Sequence, residues 1–192
     1  NREFDTVMYA HCGGRYADIG VAHDGRFEKS VEVHSSWGTF EWLLHDALKL
    51  GYRVGVVANS DGHKGRPGAS YPGAGKFGAI GGLTCFHLPE LSRAALLDCM
   101  RKRRHYGTTG GDSGRMAISL GVEFESDAAI YHDDPALGDA ASHKARNAMM
   151  GDIVHLADGG ARLSVAVEAR SPIERIDIFN GLDLVETVRP YI

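Results

Sequence analysis

Through the first half of the chain, short apolar runs alternate with polar turns rich in glycine, and each run has the length of a buried strand. Val54-Gly-Val-Val-Ala58 is one such run, and Asp5-Thr-Val-Met-Tyr-Ala10 and Ser30-Val-Glu-Val-His34 are two more. Between the last of these and the Val54 run, Phe40, Leu43, Leu44, Ala47 and Leu48 recur at i, i+3, i+4, i+7 and i+8, one face of a helix. Ser36, Gly38 or Thr39 can cap that helix at its start, and Gly51 stands where a C-terminal glycine belongs. Strand, helix and strand within about 35 residues predict a βαβ unit with parallel strands. Leu83-Thr-Cys-Phe86 predicts a short strand. Ser92 then caps a second helix running to about Arg104, with Leu96, Leu97 and Met100 inward.

After Gly107-Thr-Thr-Gly-Gly111 the period changes from helical to twofold. Met116–Leu120 and Leu163–Ala169 alternate, and Ile176 and Ile178 lead into Asn180-Gly181, the signal of a type I′ hairpin with Leu182–Val188 returning. Residues 133–150, rich in Asp, Ala, Gly and His, read as an irregular excursion. The pattern therefore predicts an α/β part over residues 1–110 and a β-rich, sandwich-like antiparallel domain over residues 111–192. No internal repeat is visible.

Composition narrows the function classes. At 43% hydrophobic and 24% charged residues, the 192-residue chain is an ordinary globular sequence, long enough for one large domain or two small ones. A net charge of -4 gives no case for nucleic acid as a partner. The one basic run, Arg101-Lys-Arg-Arg104, reads as a solvated helix end, where cations suit the dipole. No apolar run approaches the roughly 18 residues of a membrane span, and no signal peptide is visible, so no membrane partner is expected. Three irregularly spaced cysteines, Cys12, Cys85 and Cys99, form no disulfide framework and favour a reducing, cytoplasmic compartment.

The candidate chemistry lies at strand ends. Of ten histidines, seven fall in the first 105 residues, and His11, His34 and the Asp61/His63 pair each close a predicted strand. Parallel neighbouring strands would turn those ends towards one cleft, where His nitrogen and Asp oxygen are the donors that zinc or manganese takes. His11, Asp61 and His63 are the metal candidates, with His34 a further one; Cys12 and Glu32 lie near but are expected to point elsewhere. Taken singly, a strand-end His is more often a turn residue than a ligand, and Asp61 could simply satisfy turn amides. The Gly/Pro-rich loop over residues 62–82 suits a lid or substrate loop. Arg15, Arg66 and Lys64 could hold an anionic substrate group. His45, His132, His143 and His155 read as solvent-facing. Cys12 beside His11 would suit a thiol nucleophile, but no base with supporting spacing accompanies it, so no residue is assigned the catalytic step.

Ala58-Asn-Ser-Asp-Gly-His63 resembles the final Ser-Asp-x-His metal motif of the polymerase-and-histidinol-phosphatase (PHP) superfamily, and Tyr9-Ala-His-Cys-Gly-Gly14 resembles an earlier strand-end His of that family. Val31-Glu-Val-His-Ser-Ser-Trp-Gly-Thr-Phe-Glu41, Gly82-Leu-Thr, Leu91–Arg104 and Tyr106-Gly-Thr-Thr-Gly110 are similar to a PHP-like group, so the resemblance spans most of residues 5–110. It implies part of a distorted (βα) barrel, with zinc, manganese or iron as the divalent cofactor. It also implies a metal-bound hydroxide that hydrolyses a small-molecule phosphoester, or a carboxylic or carbamic ester. His11, Asp61 and His63 fall on family metal positions; His34 does not, because the similar segment has its His where this chain has Trp37. The family's opening His-x-His and its following His and Glu ligands are absent. The resemblance thus implies a C-terminal portion with an incompletely occupied metal site, inactive alone, whose barrel edge a preceding segment or another chain would cover. The competing expectation is a non-catalytic binding module, with structural histidines and a β domain that recognises a carbohydrate or protein partner.

Overall fold

The computed structural model describes residues 6–12, 16–65, 80–112 and 114–191. Its organising strand is β2 (Glu28–Ser35), buried on both faces except at two positions. β1 (Met8–Ala10) pairs parallel to it on one side, and β4 (Gly55–Ala58) pairs parallel on the other, with Val31 opposite both Ala10 and Val56. A two-residue β3 (Gly38–Thr39) folds back antiparallel on the end of β2. Strand polarity follows from the connection: β2 and β4 are joined through α1 (Glu41–Lys49), the βαβ unit that the periodicity predicts.

The α1 stripe packs Leu43 and Ala47 onto Val31, Cys12 and Ile19. Burial of Leu43 alone contributes about 2 kcal/mol. The start of this helix differs from expectation. Phe40 is the N-cap, and its side chain has no group to cap with; Thr39, a candidate cap, instead bonds to His34. The end agrees: Gly51 at φ 76° donates to Leu48 O, and Tyr52 N donates to Ala47 O, the paired bonds of a Schellman cap.

β5 (Leu83–Phe86) and β6 (His105–Thr108) form an antiparallel pair joined through α2 (Arg93–Arg101). Ser92 caps α2 by accepting from Ala95 N. Thr84 docks this pair beside β4, its hydroxyl accepting from Ala58 N and donating to Ala58 O. Among the described residues the three parallel strands are joined by no further parallel strand.

The remainder is β-rich. β7 (Met116–Tyr131) runs far beyond the predicted Leu120 and pairs antiparallel with β8 (Ser142–Met149), β9 (Ile153–His155) and β10 (Ala161–Ala169). The expected irregular excursion is thus corrected: only Pro135–Leu137 is a 3₁₀ turn, and residues 142–149 are a full strand. Its polar alternation hides it, since most of its residues are exposed. β11 (Ile176–Asn180) and β12 (Asp183–Val188) form the expected hairpin, but its two-residue loop is Gly181-Leu182. Only Gly181 there has positive φ, which excludes type I′. β12 is exposed at every position. No helix of the described residues is long and apolar enough to cross a membrane.

The basic run corrects a second expectation. Arg103, predicted as solvated, is 5% exposed and has φ 56°, occupying in α2 the position that Gly51 occupies in α1. Arg103 N donates to Met100 O and Arg104 N to Cys99 O, again a Schellman cap. The Arg103 guanidinium crosses to the β-rich part and donates to His132 O at 2.6 Å and Gly151 O at 3.1 Å. Buried Lys29 joins Asp133 at 3.1 Å, and Arg104 joins Asp152 at 3.3 Å, across the same junction. His132, expected to face solvent, is half-buried against Asp152, and burial pulls its pKa down; His45, His143 and His155 are exposed.

Candidate functional site

Because β1, β2 and β4 are parallel, the residues at their carboxyl ends collect at one edge of the sheet. Glu32 is the hub there. Its carboxylate, 2% exposed, accepts from His11 Nδ1 at 2.5 Å, from Cys12 N at 3.1 Å and from Asn59 Nδ2 at 2.7 Å. A buried carboxylate is tolerable only with such partners. Glu32 therefore joins the three strand ends, contrary to the expectation that it points elsewhere. A carboxylate on one ring nitrogen is also how a metal-ligating histidine is oriented, since it fixes the tautomer and frees the other nitrogen. The His11 side chain is half-exposed, and its Nε2 bonds to no described residue.

His34 sits one turn of the pleat further along β2 with both nitrogens engaged. Nε2 donates to Ile80 O at 2.9 Å, and Nδ1 shares a hydrogen bond with the Thr39 hydroxyl at 2.7 Å. In this arrangement His34 is a strut that holds the returning end of the 62–82 loop against β2. Gly82 N, donating to Asn59 O at 2.8 Å, pins the same end to β4.

Asp61 and His63 come directly after β4. Asp61 takes φ 49°, a conformation few residues other than glycine adopt, and its Oδ2 is buried with no hydrogen-bond partner among the described residues. His63 Nδ1 donates to Asp61 O at 2.8 Å, leaving the ring half-exposed at the mouth of the loop. Among the described residues no three His, Cys, Asp or Glu side chains stand close enough together to hold an ion. The donor types suit a divalent cation, and the orphaned Asp61 oxygen is an acceptor that such a cation would satisfy. The structure groups them as two pairs, His11 with Glu32 and Asp61 with His63. Arg15 and Arg66 lie outside the described residues, as does the 66–79 span of the predicted lid; Lys64 is exposed.

Glu32 and Asn59 are the residues that sequence reasoning missed. The signal was present: in Ser30-Val-Glu-Val-His34, polar side chains alternate with valines in a strand whose neighbours on both sides are apolar runs. A strand in the middle of a sheet has no solvent face to receive them, so a polar face there implies internal partners. His105 is a further example. It lies beneath the sheet with Nδ1 donating to Val56 O and Nε2 accepting from Ser30 Oγ, and burial lowers its pKa. Compared with protein-family models, with curated proteins and with solved structures, the chain matches none.

Proposed function

We propose that the carboxyl ends of β1, β2 and β4 form part of the divalent-metal site of a PHP-like hydrolase, with the three strands belonging to a distorted α/β barrel that a sandwich-like domain follows. The observation that carries this reading is Asp61. A buried carboxylate oxygen without a partner, in a residue at positive φ, costs on the order of 2–4 kcal/mol in total, and such costs persist mainly at functional sites. Asp61, His63 and His11 are the proposed ligands for zinc, manganese or iron, and Glu32 fixes the His11 ring with Nε2 outward. Asn59 holds the second Glu32 oxygen, so the hub cannot swing away. A bound divalent ion would supply Lewis-acid polarisation of a phosphoryl or acyl ester oxygen. The substrate is then a small-molecule phosphoester or ester, and Arg15 or Arg66 would orient an anionic group on it.

Titration of the chain with Zn²⁺ and Mn²⁺, paired with phosphodiester, phosphomonoester and aryl-ester assays, tests this. Metal binding should fall about tenfold or more in His11→Ala and vanish in Asp61→Ala combined with His63→Ala. Equal metal uptake by the double variant and the unaltered chain overturns the reading. The fully hydrogen-bonded His34 and His105 favour a second reading, a binding module whose histidines are structural and whose β-rich part recognises a protein or carbohydrate. A chain that takes up no divalent metal selects it.

A further inference from the structure

The junction between the α/β and β-rich parts holds a cluster of ionisable groups that the metal reading does not use. The end of α2 brings Lys102, Arg103 and Arg104 to it, the turn after β8 brings Asp152, and the end of β7 brings His132, Asp133 and Asp134. β8 adds His143, whose ring lies 5.9 Å from that of His132. The carboxylates are matched to cations one by one. Lys29 meets Asp133 at 3.1 Å, Arg53 meets Asp134 at 3.4 Å, Arg104 meets Asp152 at 3.3 Å and Lys102 meets Asp98 at 2.7 Å. Arg103 is the cation left over: among the described residues it makes no ion pair and donates only to the carbonyls of Arg101, His132 and Gly151.

His132 sits in this positive surplus. Its carbonyl accepts from Arg103 at 2.6 Å. Its ring is half-buried, with Nδ1 fully covered, 3.4 Å from Asp152 Oδ1 and hydrogen-bonded to nothing among the described residues. Arg104 Nη2 already donates to that Asp152 oxygen, and the other Asp152 oxygen accepts from Met149 N at 3.0 Å. The site therefore suits a neutral imidazole. Burial and then Lys102 pull the His132 pKa below the ordinary value of 6.5, Arg104 and His143 add to that, and Asp152 opposes them.

A proton on the His132 ring disturbs these pairings whichever way Asp152 turns. If Asp152 Oδ1 goes to the imidazolium, it leaves Arg104, whose Nε is already buried without a hydrogen-bond partner. If Asp152 stays with Arg104, the imidazolium is a second unmatched cation beside Arg103. Parting the junction returns the ring to water, where the charged form costs less. A histidine that binds its proton less well in the closed form than in the open one favours opening as the pH falls. We infer that His132, Asp152 and Arg104 form a proton-sensitive latch between the two parts of the chain, closed near neutral pH with His132 neutral and loosened in mild acid. The latch is separate from the proposed metal ligands.

Histidine-ring NMR titration of the whole chain, with hydrogen exchange of the Met149 amide that Asp152 holds, reads this out. The His132 ring should titrate below 6.5, and His143→Gln should raise its midpoint. After correction for intrinsic exchange, the Met149 amide should open at least about twofold more often at about pH 5.5 than at about pH 7.5. His132→Gln, which has no titrating ring, should remove that rise. His105→Gln should leave it in place, which separates the latch from the acid response of the core. A His132 ring that titrates at or above 6.5, a Met149 amide indifferent to pH, or an equal rise in His132→Gln each overturns the inference. The first two are read in the unaltered chain and do not depend on any variant folding.

Discussion

Replacing Arg103 tests the junction between the α/β and β-rich parts. The native residue stabilises through two charge-assisted hydrogen bonds across the junction, to His132 O and Gly151 O, and a longer one to Arg101 O within its own helix, and destabilises through its positive φ and through desolvation, which also lowers its pKa. Arg103→Met keeps the apolar stem but leaves both carbonyls without this donor, at roughly 1.5–3 kcal/mol each. Release of the desolvated charge returns part of that, so the net loss should be about 3 kcal/mol. For a chain of this size that is a fall of about 6–12 °C in Tm. Arg103→Ala and Arg103→Gly separate the two contributions, since both remove the guanidinium but only glycine relaxes the backbone. The glycine variant should be the more stable of the two by about 1 kcal/mol. Urea unfolding followed by the fluorescence of Trp37 and Trp42 measures all three. A loss below about 1 kcal/mol in Arg103→Met would refute the bridging role, and alanine and glycine variants of equal stability would refute the strain.

Gly151 carries the other half of that junction: at φ 89°, a Cβ there would come within 2.0 Å of Lys102 O. Gly151→Ala should cost more than about 3 kcal/mol in urea unfolding, while Gly121→Ala, with open space around it, should cost less than about 0.5 kcal/mol. His105 predicts the pH dependence. Its folded pKa lies below the ordinary histidine value of 6.5, so the unfolded chain binds the extra proton first; the stability of the neutral form is present above 6.5 and is lost as pH falls below it. Urea midpoints should therefore decline from about pH 7.5 to about pH 5, and His105→Gln, though less stable throughout, should flatten that decline. Asp61→Asn keeps the side-chain shape and its tolerance of positive φ but removes a buried charge. In metal-free buffer it should unfold at higher temperature, by about 1 kcal/mol of stability. A less stable Asp61→Asn would show that the carboxylate is satisfied without a ligand.

Periodic elements were legible in advance. The α1 stripe, the Ser92 cap of α2, the Gly51 terminator and the parallel order of β2 and β4 follow from local rules of spacing and backbone conformation. The misreadings share a cause. β8 is polar because its sheet face is solvated, Arg103 is charged because it bonds carbonyls from a remote segment, and Glu32 is buried because three donors reach it from the ends of the two flanking strands. In each, the residue type answers to a partner distant in sequence or to the solvent that tertiary packing leaves in contact.

The same division applies to the candidate site. Reading Asp61, His63 and His11 as strand-end groups needs only an apolar run followed by polar residues, because a chain leaving a buried strand must emerge at a sheet edge. That Glu32 holds His11 and Asn59 and that His34 is a strut could come only from the assembled sheet. Hydropathy and spacing record how one segment prefers to fold. Which polar groups satisfy one another inside is decided when strand register and packing bring remote segments within hydrogen-bond reach, as with Glu32 and His11, 21 positions apart, and Lys29 and Asp133, 104 apart.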